Sequence, residues 1–406
     1  MKYTPKEVMQ FVKEADVKFI RLVFCDVYGN QKNLSILPTE LPRAFQYGIA
    51  IDGSAIAGFS QGERSDLILH PDPDTLAIMP WRPEHGSVVR IFCTITYPDG
   101  TPFEKDTRSI LIKAIDDAKK LGYSFNFGTE IEFYLFKLDE DGNPTKIPYD
   151  NAGYMDVAPL DLGENVRREI CLTLEKMNIF PECSHHEEGP GQNEIDFRYA
   201  DALTAADNAE TFYTVVNAVA ARNGLYACFT PKPLENAAGN GLHIHISANH
   251  NGNPDEGAID SIIAGILDNI SDMTAFLNPT KESYARLGSF KAPKYISWSP
   301  ENRSQLIRIP PCMGFQKRAE LRSADPCTNL YLAFALVIYA CLDGIQNKKL
   351  PAEATNANLF SADEETLSKL QKLPLDLETA SEAARNSLFI QNCLPESIIE
   401  DYCSKP

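Results

Sequence analysis

Two pairs of ligand-type side chains alternate with apolar residues in stretches that have the composition of β-strands. Glu130 and Glu132 interrupt the run SFNFGTEIEFYLF, and His243 and His245 interrupt the run NGLHIHIS. Side chains two residues apart on a strand share a face, so each pair is predicted to project from one side of an apolar strand. The simpler interpretations are an exposed strand face for the glutamates and hydrogen-bonded core residues for the histidines.

Two further stretches add carboxylates to this set. In SHHEEGPGQNEIDF, a Gly-Pro-Gly turn separates Glu187 and Glu188 from Glu194, which would bring carboxylates from both arms together. In KRAELRS, Glu320 lies between two arginines at strand spacing. A solvated acidic loop and a surface ladder of ion pairs are the alternatives for these two stretches.

Taken together, these side chains predict a site for divalent cations. Carboxylate oxygens with an occasional imidazole suit Mg²⁺ or Mn²⁺ better than Zn²⁺ or an iron–sulfur cluster. Two or three such ions that share carboxylates and bridge phosphates are the usual apparatus of phosphoryl transfer. Guanidinium groups are natural partners for a substrate carboxylate or a transferring phosphate. Arginines that lie close together in the chain supply them: Arg286, Arg303, Arg308, Arg318 and Arg322.

The elements that must position these residues follow from local patterns. Thr4-Pro5 predicts the start of a helix that runs to about Ala15. Alternating residues around Tyr28-Gly29-Asn30 predict a β-hairpin, and a Pro-Asp-Gly turn at residues 98–100 closes a second strand-rich stretch. Asp106-Thr107 is predicted to cap an amphipathic helix, with Ile110, Ile115, Ala118 and Leu121 on its apolar face.

A chain of 406 residues is too long for one ordinary core, so two domains are expected. We place the boundary after residue 103, which gives a small mixed α/β domain at residues 1–103 and a large α+β domain at residues 104–406. There is no G-x-x-x-x-G-K-[ST] and no G-x-G-x-x-G, so a bound ATP would not be held by a P-loop or a Rossmann crevice.

The charge balance excludes some partners. The chain has 38 lysines and arginines against 56 aspartates and glutamates, a formal net charge of −18. Nucleic acid and anionic membrane surfaces would be repelled. The ten cysteines show no C-x-x-C spacing and are expected to be reduced and mostly buried. Neither a signal peptide nor a membrane-spanning run is evident, so the expected location is cytoplasmic.

The motifs resemble, in order along the chain, the signatures of the class I glutamine synthetase family. The matching strings are IDGSAIAGF, FGTEIEFYLF, SHHEEGPGQNEIDF, PKPLENAAGNGLHIHIS, NRSQLIRIP and AELRSADPCTNLYLAFAL. This resemblance implies an α+β fold with a small N-terminal β-grasp-like domain and a large catalytic domain. It implies a homo-oligomer, a hexameric ring with active sites between neighbouring subunits. It also implies ATP-dependent ligation of glutamate to ammonia through γ-glutamyl phosphate.

The resemblance also implies roles for individual residues. One metal site would use Glu132, Glu187 and Glu194, and a second would use Glu130, His243 and Glu320. His245, Ser247 and Arg318 match positions that bind ATP. Positions that match the glutamate site and the catalytic groups are Gly239, Arg286, Arg322, Tyr154, Arg303 and Asp52. Of these, Arg303 would stabilise the transferring phosphoryl group. Asp52 of a neighbouring subunit would help to bind and deprotonate ammonium, with Tyr154 lining that pocket.

Four departures from the family pattern bear on substrate and assembly. The family flap reads R-L-V-P-G-[YF]-E-A-P, whereas here it is one residue shorter and Lys291 replaces its glutamate. Ala238 replaces an asparagine, and Phe360 replaces a tyrosine that some relatives modify. The chain ends at Pro406 without the helical tail through which rings stack, so a hexamer is expected over a dodecamer. The alternative functions are a γ-glutamylamide synthetase that uses an organic primary amine and a non-catalytic regulatory paralogue.

Overall fold

The structure is a computed structural model, and it describes residues 3–59, 64–82, 86–311 and 316–404. The elements of the N-terminal part are, in chain order, α1 (Pro5–Glu14), β1 (Phe19–Cys25), β2 (Gln31–Ile36), α2 (Leu41–Tyr47), β3 (Ile49–Asp52), β4 (Asp66–Pro71), β5 (Ala77–Ile78) and β6 (Val88–Thr96). The strands form one sheet in the order β2–β1–β6–β4–β3, and β5 also pairs with β6. The β1–β6 pair is parallel and the other pairs are antiparallel.

Local sequence signals set the first elements as predicted. The side chain of Thr4 accepts a hydrogen bond from the backbone of Glu7, whose carboxylate in turn accepts one from the backbone of Thr4. This reciprocal cap fixes the start of α1. In the hairpin, Cys25 pairs with Gln31 across the turn, which confirms the predicted antiparallel strands.

The remaining elements are α3 (Thr107–Lys120), β7 (Tyr123–Leu138), β8 (Pro144–Pro148), α4 (Glu164–Lys176), β9 (Pro181–His186), β10 (Gln192–Asp201), α5 (Ala202–Arg222), β11 (Leu225–Cys228), β12 (Leu242–His250), β13 (Asn253–Pro254), α6 (Ile259–Leu277), α7 (Lys281–Arg286), β14 (Trp298–Ser299), β15 (Ile307–Arg308), β16 (Ala319–Leu321), α8 (Leu330–Gln346), α9 (Glu364–Ser368), α10 (Leu377–Asn386), α11 (Leu388–Cys393) and α12 (Glu396–Cys403). The large sheet has the order β14–β15–β16–β12–β7–β10–β9, with β8 and β11 pairing with β7 and β13 with β12.

The apolar face of α3 differs from the predicted one. Ile110 and Ala118 are buried as expected, but Leu121 follows the helix and its side chain is 41% exposed. Leu111 and Ala114 are fully buried instead. Because a helix has 3.6 residues per turn, positions 110, 111, 114 and 118 form one stripe. Residue 121 would continue that stripe, but the helix ends at Lys120, so Leu121 lies beyond the last helical residue and is exposed there.

The two faces of β7 have different environments. Phe127 stacks on Phe334 of α8 with ring centroids 4.2 Å apart, and Phe133 is also fully buried. Glu130 and Glu132 are on the opposite face, with 20% and 12% of their side chains exposed. The strand is therefore core on one side and a partly buried acidic surface on the other, which excludes a freely solvated strand face.

A buried polar network joins the N-terminal sheet to the large domain. Arg108 of α3 donates hydrogen bonds to Asp207 at 3.0 and 2.8 Å and to Asp72 at 2.8 Å. The hydroxyl of Tyr331 donates to the same Asp207 carboxylate at 2.7 Å. Since a buried charge is tolerated when it is paired and hydrogen-bonded, this network fixes the contact between the two parts of the chain.

The nine cysteines in the described ranges are free thiols, and five of them are buried. Cys312 lies outside those ranges. Cys183 is exposed. Within residues 3–59, 64–82, 86–311 and 316–404, no helix combines the length and the apolar character needed to cross a membrane.

The buried carboxyl group of Glu210 on α5 should make the stability of the folded protein depend on pH. Its side chain is 2% exposed beside Gln31, and burial raises its pKa to about 8. Between the ordinary pKa and this raised pKa, the carboxyl group of Glu210 stays protonated in the native state but is ionised in the unfolded chain. The free energy of unfolding therefore falls as pH rises from about 4.5 towards 8. Glu210→Gln should remove this loss, and its advantage in urea unfolding should be larger at pH 8 than at pH 5.5. Glu140→Gln, on an exposed turn, is the control, and an equal effect of Glu210→Gln at both pH values would contradict the prediction.

Candidate active site

A row of acidic and imidazole side chains crosses neighbouring strands of the large sheet. On β7 and β10, Glu132 pairs with Glu194 and Glu130 pairs with Asp196. On β7 and β12, Glu130 pairs with His243. Residues directly opposite on adjacent strands have side chains in contact on the same face. The row is thus a consequence of strand register.

The row continues on both sides of these central strands. His185 of β9 pairs with Glu194 of β10, and His245 of β12 pairs with Glu320 of β16. Arg308 of β15 pairs with Glu320. The register therefore brings together side chains that are far apart in the sequence.

Glu130, His243 and Glu320 form a group whose possible ligand atoms all lie within 4.8 Å of one another. His243 Nδ1 is 2.9 Å from Glu130 Oε2 and 3.8 Å from Glu320 Oε1. The other oxygen of Glu130 is 2.7 Å from His245 Nε2. The same three residues make up the second metal site that the family resemblance implies.

Glu194 is shared by three further groups of this kind. One contains Glu132, Glu194 and His243, another contains His185, Glu187 and Glu194, and the third contains Glu130, Glu194 and Asp196. His185 Nε2 is 3.2 Å from Glu194 Oε1, and its Nδ1 is 3.7 Å from Glu187 Oε1. Glu132 and Glu187, assigned together from the sequence, thus lie in separate groups that meet at Glu194.

The carboxylates on the β9–β10 side of the row are crowded in a way that fits a cation. Burial and the charge of Glu132 raise the pKa of Glu187 to about 8. Burial and the charge of Asp196 raise the pKa of Glu194 well above its ordinary value. Such crowding is unfavourable unless a positive charge compensates it, and carboxylates with one or two imidazoles are a suitable donor set for Mg²⁺ or Mn²⁺.

On the β16 side, positive side chains already compensate the carboxylates. Burial opposes ionisation of Glu130, but the charge of His245 and hydrogen bonds with both imidazoles hold its pKa well below the ordinary range. Glu320 is fully buried and ion-paired with Arg308 and Arg322. A surface ladder of ion pairs is therefore the wrong interpretation of KRAELRS.

Two clefts adjoin the row, and Glu130 lines both of them. The first, which we call the carboxylate cleft, has an empty volume of about 900 Å³. Its lining includes the predicted metal and substrate residues Glu132, Glu187, Glu194, His243, Tyr154, Gly239, Arg286, Arg303 and Arg322, together with Ala238. Arg286 is 3% exposed and donates a hydrogen bond to the carbonyl of Ser323 at 2.7 Å.

The second cleft, the His245 cleft, has an empty volume of about 620 Å³. Its lining includes the three residues assigned to ATP, His245, Ser247 and Arg318. Arg318 Nε lies 3.2 Å from His245 Nδ1. The structure thus separates the predicted nucleotide residues from the predicted glutamate residues, with Glu130 between the two sets.

Lys291 of the shortened flap lies at the carboxylate cleft. Its ammonium group forms an ion pair with Glu188 and lies 5.3 Å from the ring centroid of Tyr154. The preceding residue, Phe290, has φ of 51°, and Lys232 Nζ is 4.5 Å from its ring centroid. These contacts tie the flap to neighbouring segments, while 57% of the Lys291 side chain remains exposed.

One assigned residue lies elsewhere. Asp52 is exposed at the end of β3, where its carboxylate accepts a hydrogen bond from the backbone of Ser54. His185 and Asp196 were not among the predicted site residues, although each is two residues from an assigned glutamate on the same strand or its continuation. The i, i+2 rule, applied to these neighbours, would have found both.

The comparisons with known proteins identify the family. Residues 104–405 match the family model of the glutamine synthetase catalytic domain, and residues 16–98 match that of the glutamine synthetase β-grasp domain. The chain belongs to the glutamine synthetase family. The α+β fold class expected from the motifs is confirmed with it.

Relatives of this glutamine synthetase family member match along nearly the whole chain. The glutamine synthetase of Methanosarcina mazei is 45% identical over 416 residues, which cover 99% of this chain and 93% of the relative. That of Clostridium saccharobutylicum is 43% identical over 414 residues, covering 99% and 94%. These matches confirm an ATP-dependent glutamate–ammonia ligase that uses a divalent metal, and they favour glutamine formation over the alternatives.

Solved structures agree on the fold. A structure described as a GmaS/ADP complex superposes with a TM-score of 0.88 at 26% identity, covering 98% of this chain and 94% of that one. A cryo-EM structure of Plasmodium falciparum glutamine synthetase has a TM-score of 0.85 at 24% identity, covering 100% and 96%, and supports the fold alone.

Proposed function

We propose that this enzyme forms glutamine in two steps, phosphorylation of glutamate and attack by ammonia, where its two clefts meet. Glutamate would bind in the carboxylate cleft and ATP in the His245 cleft. The γ-carboxylate oxygen of glutamate attacks the γ-phosphorus of ATP, and the bond to the leaving ADP breaks. Ammonia then attacks the acyl carbon, inorganic phosphate leaves and a proton is released. The observation that carries this proposal is that Glu130 lines both clefts. The similar structure described as an ADP complex supports nucleotide binding by this fold.

We propose Mg²⁺ or Mn²⁺ as the metal. Glu132, Glu187 and Glu194 would hold one ion, and Glu130, His243 and Glu320 would hold a second. His185 and Asp196 would supply further ligands. The ions would offset negative charge on the phosphates during transfer. The crowded carboxylates described above support this assignment.

Other side chains and one backbone segment would bind the substrates and stabilise the transition state. Arg286 and Arg322 would bind the carboxylates of glutamate, with the backbone of Gly239 beside them. Arg303 would stabilise the charge that develops on the moving phosphoryl group. His245, Ser247 and Arg318 would position ATP. A closed flap would keep water from the acyl phosphate, which would otherwise be hydrolysed.

We propose a ring of six chains in which Asp52 of one subunit completes the ammonia site of the next. Asp52 is exposed and outside the carboxylate cleft of its own chain, which supports a role across an interface. The loop beside Tyr154 is also unusually apolar for a surface, with Met155, Val157 and Leu160 exposed by 58, 74 and 61%. Such a patch fits a covered face.

We also propose domain limits of 1–103 and 104–406 and a cytoplasmic location. The family models end and begin at residues 98 and 104, which supports the boundary. The free thiols of the nine described cysteines fit a reducing compartment.

Lys291→Glu tests the acceptor. A lysine in the place of a glutamate disfavours ammonium, because like charges at 4 Å repel by about 1 to 4 kcal/mol. Wild-type activity, measured as ATP-dependent phosphate release with glutamate, should therefore rise with pH as free NH₃ becomes available. Lys291→Glu should lower the KM for ammonium at pH 7 by about tenfold, which corresponds to about 1.4 kcal/mol.

Controls for this experiment are Lys146→Glu, an exposed charge reversal on β8, and a panel of primary amines. An organic amine that outperforms ammonium, together with no gain from Lys291→Glu, would contradict ammonia as the acceptor. Unchanged kinetics in Lys291→Ala for every amine would show that Lys291 has no part in acceptor choice.

A further inference from the structure

The side-chain amide of Gln192 links a predicted metal ligand to the loop that is predicted to bind glutamate. Gln192 is fully buried at the start of β10. Its Nε2 donates hydrogen bonds to Glu132 Oε2 at 3.0 Å and to the carbonyl of Gly239 at 3.1 Å. The resemblance gave Gln192 no role, and it follows directly after the Gly-Pro-Gly turn.

The orientation of this amide is determined by its partners. Gln192 Oε1 accepts a hydrogen bond from the backbone N–H of Gly189 at 2.9 Å. A flipped amide would direct its oxygen at the Glu132 carboxylate and the Gly239 carbonyl, both of which are acceptors. Only one orientation satisfies all the groups, so the donor always faces Glu132.

Two donors converge on one oxygen of Glu132. Besides Gln192, the backbone N–H of Gly241 donates to Glu132 Oε2 at 2.8 Å. The other oxygen, Oε1, faces His243 Nε2 at 4.0 Å. These two hydrogen bonds hold the carboxylate plane and leave Oε1 directed at the group formed by Glu132, Glu194 and His243.

Resting on the proposed function, we propose that Gln192 is a positioning residue that presents Glu132 Oε1 to the metal and couples metal binding to glutamate binding. One amide group holds both Glu132 and Gly239, so a shift of the Gly239 loop on glutamate binding changes the restraint on Glu132. Binding of either partner then favours the other, since such coupling is reciprocal.

Titration of the apoenzyme with Mn²⁺, followed by calorimetry with and without saturating L-glutamate, tests this proposal. Gln192→Met keeps the length of the side chain and removes the donor, and Gln192→Asn keeps the amide but is too short to reach Glu132. Both variants should raise the Kd for Mn²⁺ by about 10- to 100-fold. Both should also lose most of the tightening that glutamate produces in the wild type. The melting temperature of each metal-free variant shows whether it folds.

Asn193→Leu is the matched control, because Asn193 is equally buried on the same strand but contacts Arg167 instead of Glu132. It should lower the melting temperature and leave the Kd for Mn²⁺ within about threefold. Equal weakening by Asn193→Leu, or Mn²⁺ binding within twofold of wild type in both Gln192 variants, would overturn the proposal. Glu132→Gln separates this result from the proposed function. If it also binds Mn²⁺ normally, the metal assignment itself has failed, and if it alone binds poorly, only the role of Gln192 has failed.

Discussion

Glu132→Gln is expected to lower kcat for glutamine formation by roughly 10³-fold or more, which corresponds to about 4 kcal/mol in the activation barrier. The substitution keeps the size of the side chain and one acceptor oxygen but removes the charge from the group that contains Glu194 and His243. A divalent cation bound there would lose part of its charge compensation, and the phosphates would be less well neutralised. Steady-state phosphate release at saturating ATP and glutamate measures the effect.

The variant should retain the fold, because the glutamine side chain has the same size and keeps an oxygen that can accept the hydrogen bonds from Gln192 and Gly241. Its melting temperature and its light-scattering mass should match those of the wild type. Glu175→Gln, at an exposed position of α4, controls for the loss of one negative charge. Activity near the wild-type level at ordinary Mg²⁺ concentrations would mean that Glu132 is not a metal ligand.

Arg303→Ala is expected to lower kcat by about 10²-fold, roughly 3 kcal/mol, with little change in the KM for glutamate. Arg303 lines the carboxylate cleft. In the proposed function, charge would build up there on the phosphoryl group during transfer. A group that binds the transition state better than the ground state affects kcat, whereas one that only holds substrate affects KM.

Separate determinations of kcat and KM at saturating metal distinguish these cases. Arg222→Ala, which removes an exposed guanidinium from the end of α5, should leave both constants unchanged. A rise in the KM for glutamate at constant kcat would show that Arg303 positions substrate and takes no part in transition-state stabilisation.

The chemistry of the site could be predicted from the sequence where it depends on local periodicity. Glu130 with Glu132, and His243 with His245, share strand faces because successive side chains alternate, and this holds whatever the strands pair with. The resemblance added further residues of the candidate site, such as Glu187, Glu194 and Glu320, but not His185 or Asp196. The start of α1 and the first hairpin were predictable for the same reason, since their caps and turns lie within a few residues.

Contacts between distant segments could not be predicted in this way. The register that sets Asp196 opposite Glu130, and His185 opposite Glu194, depends on how whole strands pair. The ion pair between Lys291 and Glu188 joins a flap to a turn about a hundred residues earlier, and no local pattern indicates it. A long side chain at a loop position has many rotamers, and its partner is fixed only once the backbone is folded.

The alternation along β7 has a consequence for how this sequence can change over time. Inserting or deleting a single residue upstream of Glu130 within the strand would turn both glutamates towards the helices and bring Phe127 or its neighbours into the cleft. The core-facing and cleft-facing side chains of the shifted part of the strand would thus be exchanged by a single mutation. Length changes are therefore compatible with activity in the connections between strands, as the flap that carries Lys291 illustrates, and not within the strands that carry ligands. Descendants of this gene should accumulate insertions at loops while the spacing inside each ligand-bearing strand remains constant.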